Sequence, residues 1–441
     1  MTKRIAIIGG GFSGIAVAYN LLKLSGKNKS ILIDIFDNKN FKNNGKAYQT
    51  TDISHILNVP ADKMGLPFDD EKHFYHWLSI NLKISRDSFV PRALYHLYLQ
   101  EIISDLRKNS NLNFINEKVK DIEFANDSYI LHTQNQQDRY YDDVVLACGL
   151  GIKKIDTRKI SDKQNSQKII NDIWQFFNQS QLPKVQTILI VGSGLTMVDA
   201  VLSLKNKGFF GKIIACSRNA KLPLPHSKIR VHPITVLEKP DALLPLSKIL
   251  QKLKKAAQKI KEESDSKELK QGWQSIMDGL RPITSEFWQQ FSLQKKQQFI
   301  RHLMVFWNIH RHRMAIGNHN KMIEMVENKE LQMIKGRLVD IKEENQKLLV
   351  TLSNKQIVEV DLVLNAMGFD FVGSGSSLLV NLLREKIIIN HLTNLGFVVA
   401  KNQSHFHLAG ALLTGDLLEI TAVPDLRNLA HNISKKILQQ N

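Results

Sequence analysis

The sequence of 441 residues is poor in cysteine: Cys148 and Cys216 are its only two. Neither belongs to a C-x-x-C or similar pair, so no disulfide framework and no redox dithiol is readable. Each lies inside an apolar, strand-like run. Disulfide reduction by paired reactive thiols is therefore disfavoured, and with no Cys/His cluster at ligand spacing no metal site is expected. Long hydrophobic runs are also missing, so no membrane span is expected. The first strand pattern opens at Arg4, which leaves no room ahead of it for a signal peptide, and a cytoplasmic location is the expectation.

Acidic residues are scarce beside basic ones, 42 against 60, which sets a net charge of +18. Much of the excess is local: between Lys205 and Lys270 there are sixteen Lys/Arg and six Asp/Glu. That region contains LSKILQKLKKAAQKIKEE, in which Leu246, Ile249, Leu250, Leu253, Ala257 and Ile260 recur at helical spacing. It reads as a packed helix with a solvated lysine face rather than as a membrane or nucleic-acid surface. The chain is long enough for two or three domains with buried cores.

The opening stretch RIAIIGGGFSGIAVAYNLL is a short apolar strand, then Gly9, Gly11 and Gly14 in G-x-G-x-x-G register, then an Ala- and Leu-rich helical run. The three glycines serve different ends: the first permits a tight turn, the second lets backbone approach a pyrophosphate closely, and the third lets helix pack on strand. The helix start offers N–H groups and partial positive charge to phosphates. A second strand, ILIDIF, leads to Asp37, where a carboxylate would bind a ribose hydroxyl. The alternative is a tight strand-to-helix turn without a ligand.

A second turn follows in ILIVGSGLTMVDA, with Gly192 and Gly194 present but Met197 at the third glycine position, so that helix and strand are expected to pack slightly further apart. Its next strand, KIIACSRNAK, ends in Ser217 and Arg218 instead of an acid. A hydroxyl and a guanidinium suit a 2′-phosphate, which favours NADPH over NADH, unless Arg218 is a plain surface charge. Asp199, further into the helix, reads as a capping or packing residue. After each turn comes a three-stranded excursion and a return strand ending in Ala-x-Gly, at residues 147–149 and 366–368. The expected fold class is α/β with two Rossmann-like dinucleotide-binding domains, one of FAD and one of NADP type, plus a mostly helical insertion. The expected divisions are 1–159 for the first part of the FAD domain, 160–368 for the NAD(P) domain with its insertion at about 240–325, and 369–441 for the return segment of the FAD domain.

GKAYQTTDISHILNVPADKMG, FVPRALYHLYL, VGSGLTMVD, ACSRNAKLPLPH, FWNIHRHRMA and LLEITAVPDLR are stretches in which the chain resembles a bacterial FAD/NAD(P)-binding family of the two-dinucleotide-binding-domain flavoproteins. More remotely it resembles flavin-containing monooxygenases and N-hydroxylases. The resemblance implies FAD at Gly9, Gly11, Ser13, Gly14 and Asp37, with the backbone of Val119 near the adenine. It implies further flavin contacts at Asn58, Met64, Gly149, Gly410 and Thr421, and an NADPH site at Gly192, Gly194, Thr196, Ser217 and Arg218. Ala411 stands where many relatives carry an aspartate for the ribityl chain, and Asp416 lies too far on to take that role. Near the C-terminus, Thr421 reads as a helix cap and Pro424 as a first-turn residue, the helix start being directed at the flavin pyrimidine.

Within FIRHLMVFWNIHRHRMA, His302, His310, Arg311, His312 and Arg313 are read on one helix, whose face Phe299, Leu303, Phe306 and His310 suits core packing. Arg311 and His312 read as structural. Arg92, His310 and Arg313 are candidates for the substrate or nicotinamide side, Arg92 being either a flavin-pocket cation or a surface salt bridge; no nucleophile triad is visible. The expected function is that of an NADPH-using, FAD-dependent oxidoreductase of monooxygenase type, with a small-molecule substrate and with molecular oxygen or another acceptor taking the electrons. Alternatives are a flavin oxidase or reductase that does not oxygenate, a non-catalytic redox sensor or interaction module, and a nucleic-acid-associated flavoprotein.

Overall fold

The computed structural model describes residues 2–26, 30–38, 41, 45–135, 138–156, 167–179, 182–228, 231–263 and 272–440. Two five-stranded, wholly parallel sheets organise it. In the first, the strand order is Phe406–Leu408, Asp143–Leu146, Lys3–Ile8, Ile31–Phe36, Leu112–Ile115. In the second it is Ile169–Ile170, Leu362–Asn365, Thr187–Val191, Lys212–Ser217, Leu331–Lys335. Central strands read as continuous aliphatic runs because both sheet faces are covered; Ile5, Ala6, Ile7, Leu189 and Ile190 are inaccessible to solvent.

The repeat expected from the sequence extends to individual hydrogen bonds. Gly9 N donates to Phe36 O and Gly192 N to Cys216 O; Ala147 N donates to Ile8 O and Ala366 N to Val191 O. Ahead of each return strand an aspartate ties down the start of the first strand, Asp142 accepting from Arg4 N at 2.7 Å and Asp361 from Thr187 N at 2.8 Å. Each half carries a three-stranded antiparallel excursion, Val119–Ala125, Ser128–Thr133 and Asp138–Tyr141 in one, Leu338–Glu344, Lys347–Leu352 and Ile357–Val360 in the other. Both return strands stop just before the Ala-x-Gly, which forms the following turn. That places Cys148 in an exposed turn rather than in a strand, while Cys216 is buried inside one.

The chain's last segment returns to the first sheet. The strand Phe406–Leu408 joins its edge, and the helix Val423–Gln439 packs along Phe12–Ser25, with Ser434 Oγ donating to Val17 O at 3.2 Å. Ala422, not Thr421, stands at the N-cap of this last helix, and no side chain caps it; Pro424 does occupy the first turn. The expected division at residues 159 and 160 lies outside the described residues.

The crossover between Lys212–Ser217 and Leu331–Lys335 carries the helical insertion. Its helices include Leu246–Glu263, Trp273–Leu280, Thr284–Gln290, Leu293–His302 and Met304–Arg311. The basic helix forms as expected, but its apolar stripe is not packed away: only Ile249 on it is buried. The stretch read as one helix around His302 is broken at Leu303, and His312 and Arg313 lie beyond the second helix's end. No described helix is long and apolar enough to cross a membrane.

Candidate functional site

The first glycine turn is built so that backbone, not side chains, lines it. Gly9 has φ +117°, and a Cβ there would stand 2.4 Å from the carbonyl oxygen of Ala147. Gly192 has φ +126°, and its Cβ would meet the Ala366 oxygen at 2.2 Å. These two turns therefore require glycine for both conformation and space. The third position differs: at Gly14 a Cβ would meet Gly9 O at 2.0 Å, whereas its counterpart Met197 is fully buried in the second domain's core. The helices Phe12–Ser25 and Leu195–Asn206 start from Gly11 and Gly194, with no side chain capping either. Their first-turn N–H groups have no partners within the helix.

Several expected site residues converge on the first turn. Asp37 follows the strand Ile31–Phe36 and accepts from Gly10 N at 2.9 Å. Gly410, with φ +75°, lies over the turn: a Cβ there would be 2.9 Å from Ser13 Oγ. Gly45 abuts the turn as well, its Cβ position being 3.5 Å from Gly11 Cα. Val119 begins the excursion and is buried, and Gly149 lies in the turn after the return strand. Met64 is buried, its carbonyl accepting from Tyr95 Oη at 2.9 Å. Ala411 is half-buried in a short 3-10 turn, and Asp416 faces His391 at 3.4 Å instead of the glycine turn.

At the second turn, Thr196 is in the first turn of its helix. Ser217 Oγ accepts from Ser193 Oγ at 2.8 Å and from Ala220 N at 3.0 Å. Arg218 follows the strand directly and is exposed.

The loop that starts at Gly45 runs from the first turn to the second domain and is held there by a polar cluster. His55 is almost fully buried, its Nδ1 2.7 Å from Thr50 Oγ1 and its Nε2 2.8 Å from Ser203 Oγ. Ser203 Oγ donates to Asp52 Oδ2 at 2.8 Å, and Asn206 Nδ2 to Asp52 Oδ1 at 3.1 Å. Burial would raise the Asp52 carboxyl, but the bonds from Ser54 and Ser203 hold it below the usual carboxylate range. Further along, Asn58 O accepts from His226 Nε2 at 2.9 Å. Burial pushes the His226 imidazole down to about 3, with Arg313 adding repulsion.

Arg92 forms a largely buried salt bridge and not a surface one. It opens the helix Arg92–Leu106 and pairs with Asp199 at 2.9 Å, both side chains mostly buried. Asp199 is thus a packing residue tied to the first domain, its carboxyl raised by burial against the pull of Arg92. Sequence reading missed this clasp. Its local signal was the spacing of Asp199 and Ser203, four apart on one helical face.

Of the insertion's candidates, Arg313 is buried and its guanidinium is occupied by Asp278 and by Gln274 Oε1. Arg311 pairs with Glu419 at 2.9 Å, and burial lowers His312 to about 4. His310 Nδ1 donates to Phe306 O at 2.7 Å, and the ring faces Trp273 edge-on. Besides the Arg311 pair, Trp288 Nε1 donates to Gly415 O at 2.7 Å and Ser285 Oγ to Leu417 O at 3.0 Å, which join the insertion to the segment before the last helix, and Arg281 pairs at 2.9 Å with Asp425 in that helix's first turn.

Comparison with known proteins agrees with this geometry. Residues 6–151 match the model of a family described as FAD-NAD(P)-binding. This segment is an FAD/NAD(P)-binding domain. Among curated proteins none matches the chain. Among solved structures, the ornithine N-hydroxylase of Kutzneria sp. 744, determined with reduced FAD, NADP+ and L-ornithine, is similar with a TM-score of 0.61 at 13% identity, over 100% of both chains. The FAD-bound cadaverine monooxygenase of Erwinia amylovora has a TM-score of 0.60 at 13% identity, over 100% of this chain and 94% of that one. The bacillithiol disulfide reductase of Staphylococcus aureus has 0.57 at 12%, over 100% of both. These likenesses concern the fold alone, an α/β architecture with two Rossmann-like domains, the first of which contains the matched segment.

Proposed function

We propose that the protein is an NADPH-dependent FAD oxidoreductase of monooxygenase type acting on a small molecule. One observation carries this reading: two glycine turns of the same construction, at Gly9 and Gly192, stand at the ends of two parallel sheets in which four strands, from the return strand outward, follow the same order. One turn serves one dinucleotide.

The residues present fit both groups. The cradle around Gly9, Gly11, Ser13 and Gly14 leaves no room for a Cβ at its first and last glycines, and its helix start can bind a pyrophosphate. Asp37, anchored by Gly10 N, would accept from a ribose hydroxyl; Asn58, Met64, Val119, Gly149, Gly410 and Thr421 would complete the FAD site. Gly192, Gly194 and Thr196 would hold the second pyrophosphate. Two neighbours already donate to Ser217 Oγ, which leaves its own O–H for a phosphate oxygen, and exposed Arg218 supplies the charge that an acid in that place would oppose. When bound, the pair of cofactors supplies hydride transfer and the reduction of oxygen. The chain's own work is to hold the two domains in register, through Asp52, His55, Ser203, Arg92 and Asp199, and to shield the reaction from water.

Disulfide reduction is disfavoured although one structural neighbour performs it, because Cys148 is exposed in a turn and Cys216 is buried in the second sheet. The division into an FAD domain closed by residues 369–441 and an NADP domain is part of the same proposal. Its test is the visible spectrum of the FAD-loaded protein under anaerobic conditions. Bleaching by NADPH, faster than by NADH and reversed by air, is the expected result. A flavin that binds and is bleached by neither nucleotide overturns it.

A further inference from the structure

The insertion lines a half-open cavity of about 460 Å³, distinct from both glycine turns. Its walls come from the basic helix through Ile249, Leu253 and Ala257, and from the facing helices through Trp288, Phe299 and Trp307. The face foreseen as core packing, Phe299, Leu303, Phe306 and His310, lines this space. Its size lies in the range of small-molecule sites, and its aromatic and aliphatic lining is typical of them.

Two details give the cavity a chemical preference. Trp307 Nε1 is shielded from water and has no hydrogen-bond partner in the protein, while its indole lines the cavity. An atom that water cannot reach is equally out of reach of a ligand's oxygen, so the indole offers the cavity only its apolar surface. Among the described lining residues there is no carboxylate; the ionisable ones are Lys254 and His310. A cationic amine would therefore enter without a counter-ion, at a large desolvation cost. The cavity also touches the part of the chain that leads to the last helix: Leu418 forms one wall, at φ +58°, and the adjoining Glu419 is held by Arg311.

We infer that this cavity is the substrate pocket, and that the substrate is an uncharged lipophile with a hydrocarbon body, in contrast to the ornithine and cadaverine named for two structural neighbours. The substrate role rests on the oxidoreductase reading above; the binding does not.

The test is calorimetric titration of the full-length, FAD-loaded protein with hexan-1-ol, octan-1-ol and decan-1-ol, and with cadaverine. Affinity should rise about fourfold for each added methylene, the increment expected for full burial of that group. Cadaverine should not bind. Ala257→Trp, which fills the cavity from a half-exposed helix, should abolish alcohol binding with the flavin spectrum intact. Cadaverine binding, alcohols that do not bind, or binding indifferent to Ala257→Trp overturns the pocket. So does dimerisation that Ala257→Trp abolishes, since a second copy would then cover the face. If the alcohols bind as expected but NADPH does not bleach the flavin, the oxidoreductase reading falls, and the substrate role with it.

Discussion

Arg92 Nη1 and Asp199 Oδ2 are 2.9 Å apart although 107 positions separate them in the chain, one at the start of the helix Arg92–Leu106 and the other inside the helix that follows the second glycine turn. Neither side chain is well exposed, so removing one leaves the other a buried polar group without its partner. Arg92→Met should lower stability by about 3–5 kcal/mol, because it leaves Asp199 buried and unpaired. The double variant Arg92→Met/Asp199→Leu should recover most of that loss. Urea unfolding of the three proteins checks both statements; equal midpoints for wild type and Arg92→Met would show that the pair holds nothing.

The two glycine turns separate the two cofactors experimentally. In Gly192→Ala, the new methyl would have to share space with the Ala366 carbonyl at a φ that alanine rarely adopts. The variant should bind FAD with an unchanged spectrum and lose bleaching by NADPH. Gly9→Ala should fail to retain FAD at all. A Gly192→Ala protein that is still bleached at the wild-type rate would remove the second turn from the hydride path.

Arg218 is exposed at the end of its strand, so its replacement has little structural cost. If it meets a 2′-phosphate, Arg218→Ala should weaken NADPH by roughly 10- to 100-fold, the worth of a charged hydrogen bond, and leave NADH nearly unchanged. Stopped-flow bleaching over a range of nucleotide concentrations measures both. Equal losses for the two nucleotides would assign Arg218 a general role without preference for the phosphate.

These tests follow from parts of the chain that were unequally legible. The glycine turns, Asp37 and the duplicated excursions were readable because they depend on neighbours within a few residues, where backbone geometry leaves little choice. The clasp of Asp52 and His55 with Ser203 was not, since its partners are about 150 residues apart and only folding brings them together. Helical spacing correctly put Phe299, Leu303, Phe306 and His310 on one face, but periodicity says which residues share a face and not what lies opposite. The break at Leu303 gave no warning either, having neither proline nor glycine beside it. Thr421 was misread as a cap because a hydroxyl near a helix start is a common signal, whereas here Ala422 fills that place.

His226 links stability to pH through the loop it anchors. Its imidazole, held near 3 chiefly by burial and by Arg313, stays neutral in the folded protein, where Nε2 donates to Asn58 O. In the unfolded chain it protonates below about 6.5, so the unfolded state binds the extra proton and stability rises with pH across this window. The contribution is complete above about pH 6.5 and is lost as pH falls toward 3, reaching about 2 kcal/mol by pH 5. His312, lowered to about 4 by burial, pushes in the same direction, so wild type alone does not isolate either group. His226→Gln retains an N–H for Asn58 without a titrating ring. Its urea midpoint should therefore fall less steeply than that of wild type between pH 7 and 5, and parallel curves for the two proteins would show that His226 titrates alike in both states.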